Sequence, residues 1–288
     1  MYNVFKRMEI WSTMEMHKMD KNYAAWSLKN AVEFYKHHRN TVDQLYESEK
    51  AFLPDVIKKV RSVLDVGCGA GGFSKIMKTL QPNVYYVGID VAPKMIDAAR
   101  ILYPGTKFEV ADGNKINYPD NSFDLVFCTG VIHHNPNYKE MIDEMYRVSR
   151  KYCIFDLPRL VPVDYKFDAT ESYMTLKERF EGELGDVSKE ATRVPYFIIN
   201  AKTIFDYLLN ELVPKPKKLF AVGYYGRTNP SVTMPFEEIC FCVVFIEKGS
   251  DGSKTRFGVD LPEDITNLLQ YDNVELVPDF RTRFNQLL

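Results

Sequence analysis

Between residues 62 and 158, short apolar runs alternate with segments whose apolar residues recur at helical spacing, and that alternation predicts an α/β sandwich. A glycine-rich turn sits where the first run hands over to the first helical segment. A final pair of runs, "KKLFAVGYYG" and "EICFCVVFIEK", is separated by "RTNPSVTMPFE", which is too short for a helical crossover and so implies antiparallel pairing. Together these predict a seven-stranded, mostly parallel sheet with an antiparallel final strand and helices on both faces.

"SVLDV" is the first strand and "GGFSKIMKTL" the first helix of the repeat. "VYYVGID" is a strand, followed by "APKMIDAARILY", a helix with Pro93 in its first turn. "KFEVAD" and "FDLVFC" are the third and fourth strands, "YKEMIDEMYRVSR" a helix with Met141, Met145 and Val148 on one face, and "YCIFDLP" the fifth strand. Residues 158–200 are charged, aromatic and irregular, and "NAKTIFDYLLNELV" then reads as a helix with Asn200 as its N-cap. Residues 22–60 read as helices carrying aromatics at helical intervals, and the last forty residues as a polar, partly helical appendage. The expected organisation is an N-terminal helical lid over 1–56, a main domain over 57–247 with a substrate-cap insertion at about 158–200, and the appendage over 248–288.

With 288 residues, 45% of them hydrophobic, the chain can bury a substantial core. A formal charge of −2 gives no global basic excess, which speaks against a nucleic-acid partner. No window approaches the roughly 18 apolar residues of a membrane helix, and the N-terminus lacks a signal-peptide core, so a cytoplasmic protein without a membrane partner is expected. Cys68, Cys128, Cys153, Cys240 and Cys242 lie in apolar runs without paired ligand spacing, which reads as buried thiols and no metal.

Gly67, Gly69 and Gly72 satisfy G-x-G-x-x-G between a strand and a helix, with Asp90 about twenty residues on, a Rossmann-like arrangement for a nucleotide-bearing ligand. Asp65 separates the possible guests. A carboxylate one turn away repels a pyrophosphate held at the helix N-terminus and attracts an ammonium group. S-adenosylmethionine fits this: its ammonium can meet Asp65 or the adjacent carbonyls, its carboxylate can meet backbone N–H groups, and its ribose diol can bond Asp90.

The sequence here resembles the class I S-adenosylmethionine-dependent methyltransferases, from about residue 60 to 158 and more loosely to 247. "LDVGCGAGG" is similar to the family's first motif, "VGID" to the segment carrying its ribose-binding acid, and "ADGNKINYPDNSFDLVFCTGVIHH" to the stretch spanning its third and fourth strands. The resemblance implies S-adenosyl-L-methionine as cofactor, held by the turn residues Gly67, Cys68, Gly69 and Gly71 with Asp65 and Asp90. It further implies Asp112 on the adenine amino group, Gly113 lending an N–H, Val91 and Met95 as apolar walls, and Thr129 to Val131, Gly130 among them, along the methionine portion. The family's proline-glycine-glycine turn before the fifth strand is replaced by "SRKYC".

His133 and His134 follow the fourth strand, where the methyl end of the cofactor is expected, and an imidazole there can accept a substrate proton. The alternative is that one packs beneath the cofactor and the other caps the next helix. Asp156, ending the fifth strand, is a further catalytic candidate, or else a helix cap or the ion-pair partner of Arg159. Tyr23, Trp26, Tyr35 and Tyr46 are candidates for an aromatic lid. The expected reaction is methyl transfer to oxygen or nitrogen of a small polar acceptor, a sugar or secondary-metabolite precursor. RNA or protein methylation and NAD-dependent oxidoreduction are the competing readings.

Overall fold

Residues 26, 29–176, 192–249 and 254–288 are described by the structure, a computed structural model. In chain order the strands are β1 (Ser62–Val66), β2 (Tyr85–Asp90), β3 (Lys107–Val110), β4 (Phe123–Cys128), β5 (Ser149–Asp156), β6 (Arg159–Val161), β7 (Tyr173–Leu176), β8 (Thr192–Pro195), β9 (Ile198–Asn200), β10 (Lys218–Gly226), β11 (Val232–Thr233), β12 (Ile239–Glu247), β13 (Thr255–Asp260) and β14 (Val274–Leu276). The helices are α1 (Lys29–His37), α2 (Glu47–Lys50), α3 (Leu53–Val56), α4 (Gly72–Leu80), α5 (Pro93–Leu102), α6 (Tyr138–Val148), α7 (Ala201–Asn210), α8 (Glu263–Leu268) and α9 (Phe280–Leu287).

The main sheet runs β14-β13-β10-β12-β5-β4-β1-β2-β3. β1 pairs in parallel with β2 and β4, β2 with β3, and β4 with β5. These strands are near-continuous apolar runs because both their faces are covered; all six residues of β4 are buried. Alternation sends Leu64, Val66, Val126 and Cys128 to one face, with Met141, Met145 and Phe205. Val63, Leu125 and Phe127 go to the other, with Ile76, Phe220, Phe245 and Phe280. β12 is antiparallel to both β5 and β10, as the short connection requires. In α7 the Asn200 Oδ1 accepts the Thr203 N–H at 3.2 Å, closing the expected cap.

Three regions differ from the sequence reading. The sheet exceeds seven strands, because β13 adds in parallel to β10 and β14 to β13, with β6 and β9 joining beside β12. The last forty residues are therefore part of the sheet and its core: Phe257, Ile265, Phe280 and Phe284 are buried. "TRFGVD" is short, and its polar Thr255 is itself buried, so no alternation shows. Within 158–200, β7 and β8 form a small antiparallel sheet with β11, while residues 177–191 lie outside the described residues. Finally, Leu45, Phe52, Leu53 and Val56 from the N-terminal stretch pack into the core.

Candidate active site

The carboxyl ends of β1, β2, β4 and β5 open on a cavity of about 600 Å³, the place where ligands bind in such sheets. One half is built by the glycine turn. Gly67 (φ +75°) passes so close to Val131 that a Cβ there would come within 2.2 Å of a methyl carbon. At Gly69 (φ +53°) a Cβ would touch the Tyr35 side chain at 3.9 Å, an ordinary contact, so it is the left-handed backbone and not crowding that favours glycine there. The turn is stitched to the end of β2: Gly67 and Cys68 donate their N–H groups to the Ile89 carbonyl at 2.8 and 3.0 Å. Gly69 N–H donates to Asp90 Oδ2 and Ala92 N–H to Asp90 Oδ1, both at 2.9 Å. Burial pushes the Asp90 carboxyl up, against these hydrogen bonds.

Val91, Met95, Asp112, Gly113, Thr129 and Gly130 line the same cavity. Asp112 Oδ1 accepts from the Asn114 N–H and side-chain amide at 2.8 and 2.9 Å. Gly113 has no room for a side chain, since a Cβ would press Met141 at 2.7 Å and Val66 at 2.9 Å. Thr129 Oγ1 is buried without a hydrogen-bond partner.

Asp65 and Gly71 are not in the cavity lining. Asp65 is 2% exposed and accepts a hydrogen bond from the Tyr86 hydroxyl. Burial pushes its carboxyl up to about 7. Of the two partners expected for a guest's ammonium, Asp65 or the adjacent carbonyls, Asp65 is turned away from the cavity, while Val66 and Gly67 line it. Gly71 (φ +84°) instead packs against the Phe108 ring, which a Cβ would approach to 2.8 Å.

His133, His134 and Asp156 line the other half, with Arg159 and Tyr196. Arg159 Nη2 lies 3.0 Å from His133 Nε2. A guanidinium only donates, so Nε2 accepts and the His133 proton sits on Nδ1, 3.6 Å from Asp156 Oδ2. His134 Nδ1 lies 2.7 Å from the Pro195 carbonyl, which only accepts, so its proton is on Nδ1 and Nε2 keeps a bare lone pair. Burial, aided by Arg159, holds His133 well below the usual imidazole range; burial and then His133 do the same for His134. Asp156 Oδ1 accepts the Gly130 N–H at 3.0 Å, tying the two halves together.

The third wall comes from the N-terminal stretch. The Trp26 ring lies 5.0 Å from that of His134, and Tyr35 and Tyr46 also line the cavity; Tyr23 lies outside the described residues. Arg39 (φ +57°) stacks 4.5 Å from the Tyr46 ring and 4.7 Å from Phe73, pairs with Glu49, and leaves its Nε buried without a partner. Arg39, Glu49, Tyr196 and Tyr224 line the cavity without any motif to announce them. Arg39 shows in sequence only as the end of "YKHHR". Among the described residues, no cluster of His, Cys, Asp and Glu could hold a metal, and no helix is long and apolar enough to cross a membrane.

Comparison with known proteins bears on the same segment. Residues 64–155 match a family described as a methyltransferase domain. The demethylmenaquinone methyltransferase of Deinococcus radiodurans is 38% identical over 92 residues, 31% of this chain and 38% of the relative. The ajmaline N-methyltransferase of Rauvolfia serpentina is 29% identical over 153 residues, 50% of this chain and 51% of the relative. The chain thus spans between about a third and a half of the length of these relatives. A crystal structure of an S-adenosylmethionine-dependent methyltransferase from Methanosarcina mazei superposes with a TM-score of 0.50 at 17% identity, covering 72% of this chain and 99% of that one, a likeness of fold. The stretch of this chain that carries the glycine turn, Asp90, Asp112 and the histidine pair is therefore the part that matches a methyltransferase domain, in a fold like that of an S-adenosylmethionine-dependent methyltransferase.

Proposed function

We propose that this chain transfers a methyl group from S-adenosylmethionine to an oxygen or nitrogen of a small polar molecule, such as a sugar or a secondary-metabolite precursor. The observation that carries this reading is a single cavity with two unlike halves. The glycine turn, Asp90 and Asp112 line one, and His134 with its bare Nε2 lines the other. The relatives' names, with demethylmenaquinone and ajmaline as acceptors, support a small-molecule class.

The residues fit the cofactor on three counts. Gly69 lines the cavity without a side chain to fill it. The Asp90 carboxylate is fixed at the end of β2 by the backbone N–H groups of Gly69, Val91 and Ala92, which leaves acceptor capacity for a ribose hydroxyl. Thr129 Oγ1 is a buried polar atom without a partner in the chain. Asp112 and Gly113 would take the adenine edge, Val91 and Met95 its faces, and Thr129, Gly130 and Arg39 the methionine end. Bound there, S-adenosylmethionine supplies an electrophilic methyl carbon.

His134 accepts the acceptor's proton through Nε2, because the Pro195 carbonyl holds its own proton on Nδ1 and burial keeps the ring neutral. His133 has its lone pair filled by Arg159 and serves as a support, as does Asp156, which anchors Gly130 and Arg159. Trp26 against the His134 ring helps exclude water. In this reading the N-terminal stretch is a lid and the insertion at about 158–200 a substrate cap, with Met174 and Tyr196 in the cavity wall.

A small-molecule cell extract incubated with the protein and S-adenosylmethionine should yield S-adenosylhomocysteine and a product heavier by one CH₂ unit. Product confined to the macromolecular fraction would overturn the acceptor class. No S-adenosylhomocysteine from any fraction would overturn methyl transfer itself.

A further inference from the structure

The acceptor's chemistry can be narrowed through Arg159, which is 8% exposed and lines the half of the cavity around His134. Two arginines of this chain, Arg147 and Arg150, show how carboxylates meet a guanidinium at charge-assisted distances. Arg147 holds Glu144 at 2.7 and 2.9 Å and Asp120 at 2.7 Å. Arg150 grips one oxygen of Asp124 at 2.6 and 2.9 Å.

Arg159, far more deeply buried, has no such partner. Its two shorter bonds go to uncharged groups, Nε to the Tyr196 hydroxyl at 2.9 Å and Nη2 to His133 Nε2 at 3.0 Å. Its acid, Asp156, stands at 3.4 Å from Nη1 and spends its other oxygen on the Gly130 N–H. Burial also pushes the Asp156 carboxyl up, which weakens the neutralisation it offers. These bonds use three of the five N–H donors of a guanidinium. A cation removed from water with so incomplete a counter-ion set is costly unless a ligand completes it. The Phe241 ring, 4.6 Å away, holds the guanidinium in place.

We propose that Arg159 is the anchor for a carboxylate on the acceptor, so that the substrate is an acid bearing a hydroxyl or amine rather than an uncharged polyol. This rests on the methyltransferase reading above. The His133 ring, which Arg159 bonds, lies 4.1 Å from the His134 ring, so the anchored carboxylate would sit near the atom that gives up its proton. A planar fork suits a carboxylate, which can accept two parallel N–H bonds.

The test uses the full chain saturated with S-adenosylhomocysteine and two matched pairs of probes, glucuronate against glucose and malate against malamide. In thermal unfolding, at least one carboxylate should raise Tm where its neutral partner at equal concentration does not. Arg159→Gln, with S-adenosylhomocysteine still bound, should lose that shift, and Arg159→Lys should keep only part of it. Equal shifts within both pairs, no shift from either carboxylate, or an undiminished shift in Arg159→Gln would overturn the proposal. Should Arg159→Gln not fold, Arg159→Lys decides, and a shift as large as the wild type's would overturn it. If S-adenosylhomocysteine fails to bind the wild-type chain, it is the methyltransferase reading that falls.

Discussion

His134 meets an acid–base requirement that its neighbour does not, because its Nε2 lone pair is unspent while that of His133 is taken by Arg159. His134→Ala should lower kcat by roughly 10²- to 10⁴-fold with little change in cofactor affinity. Since burial holds the imidazole well below 6.5, the wild-type rate should be level above neutral pH and fall only on the acid side, and the variant should lose that acid limb. Near-normal turnover in His134→Ala would leave catalysis to proximity and orientation. His133→Ala should act differently, releasing Arg159 and loosening the site. Asp90 stood out in sequence by its spacing from the glycine turn and the histidine pair by following the fourth strand, whereas Asp112 came only through the family resemblance; all of them line the cavity. Arg39, Glu49 and Tyr196 reach the cavity from segments far off in the chain, where no local pattern marks them. Asp65 was visible as a carboxylate near the turn, but only the fold shows it turned to Tyr86 and not to the cavity.

Among the elements, α7 shows how a single side chain fixes a boundary. Asn200 both ends β9 and caps α7, accepting from Thr203 N–H. Asn200→Ala should cost about 1 kcal/mol, within a range of roughly 0.5–2, measured as a lower urea midpoint at unchanged slope. An unchanged midpoint would mean that packing of Ile204, Phe205 and Leu208 alone sets the helix start. The strands and helices between residues 62 and 156 were readable because apolar runs there alternate with helical-period segments, punctuated by glycine or proline. β6, β7 and β9 were not, since they are three or four residues long and lie in a charged, irregular stretch without a βα alternation to frame them. The small sheet nonetheless matters to the site, as β8 brings the Pro195 carbonyl to His134.

For the molecule as a whole, Asp65 lies in β1 of the main sheet and couples the fold to pH. Its carboxyl is raised from 3.8 to about 7, so between those values the folded chain keeps a proton that the unfolded chain releases. That contribution is fully present below about 4 and is lost as pH rises through about 7, at about 1.4 kcal/mol per unit. Asp65→Asn keeps a neutral acceptor for Tyr86 and should flatten this part of the slope, while equal slopes in denaturant titrations of the two proteins would contradict the assignment. The parallel pairing around β1 followed from the βα alternation, whereas the sheet's extension through β13 and β14 depends on docking against β10, which no local pattern encodes. Both the turn's chemistry and the sheet's architecture converge on the cofactor half of the cavity, and calorimetric titration with S-adenosylhomocysteine tests it most directly. Saturable binding is expected, weakened in Asp90→Ala by about 1.5–3 kcal/mol, the worth of hydrogen bonds to a charged group. Binding of NADH in place of S-adenosylhomocysteine, or an affinity indifferent to Asp90→Ala, would contradict it.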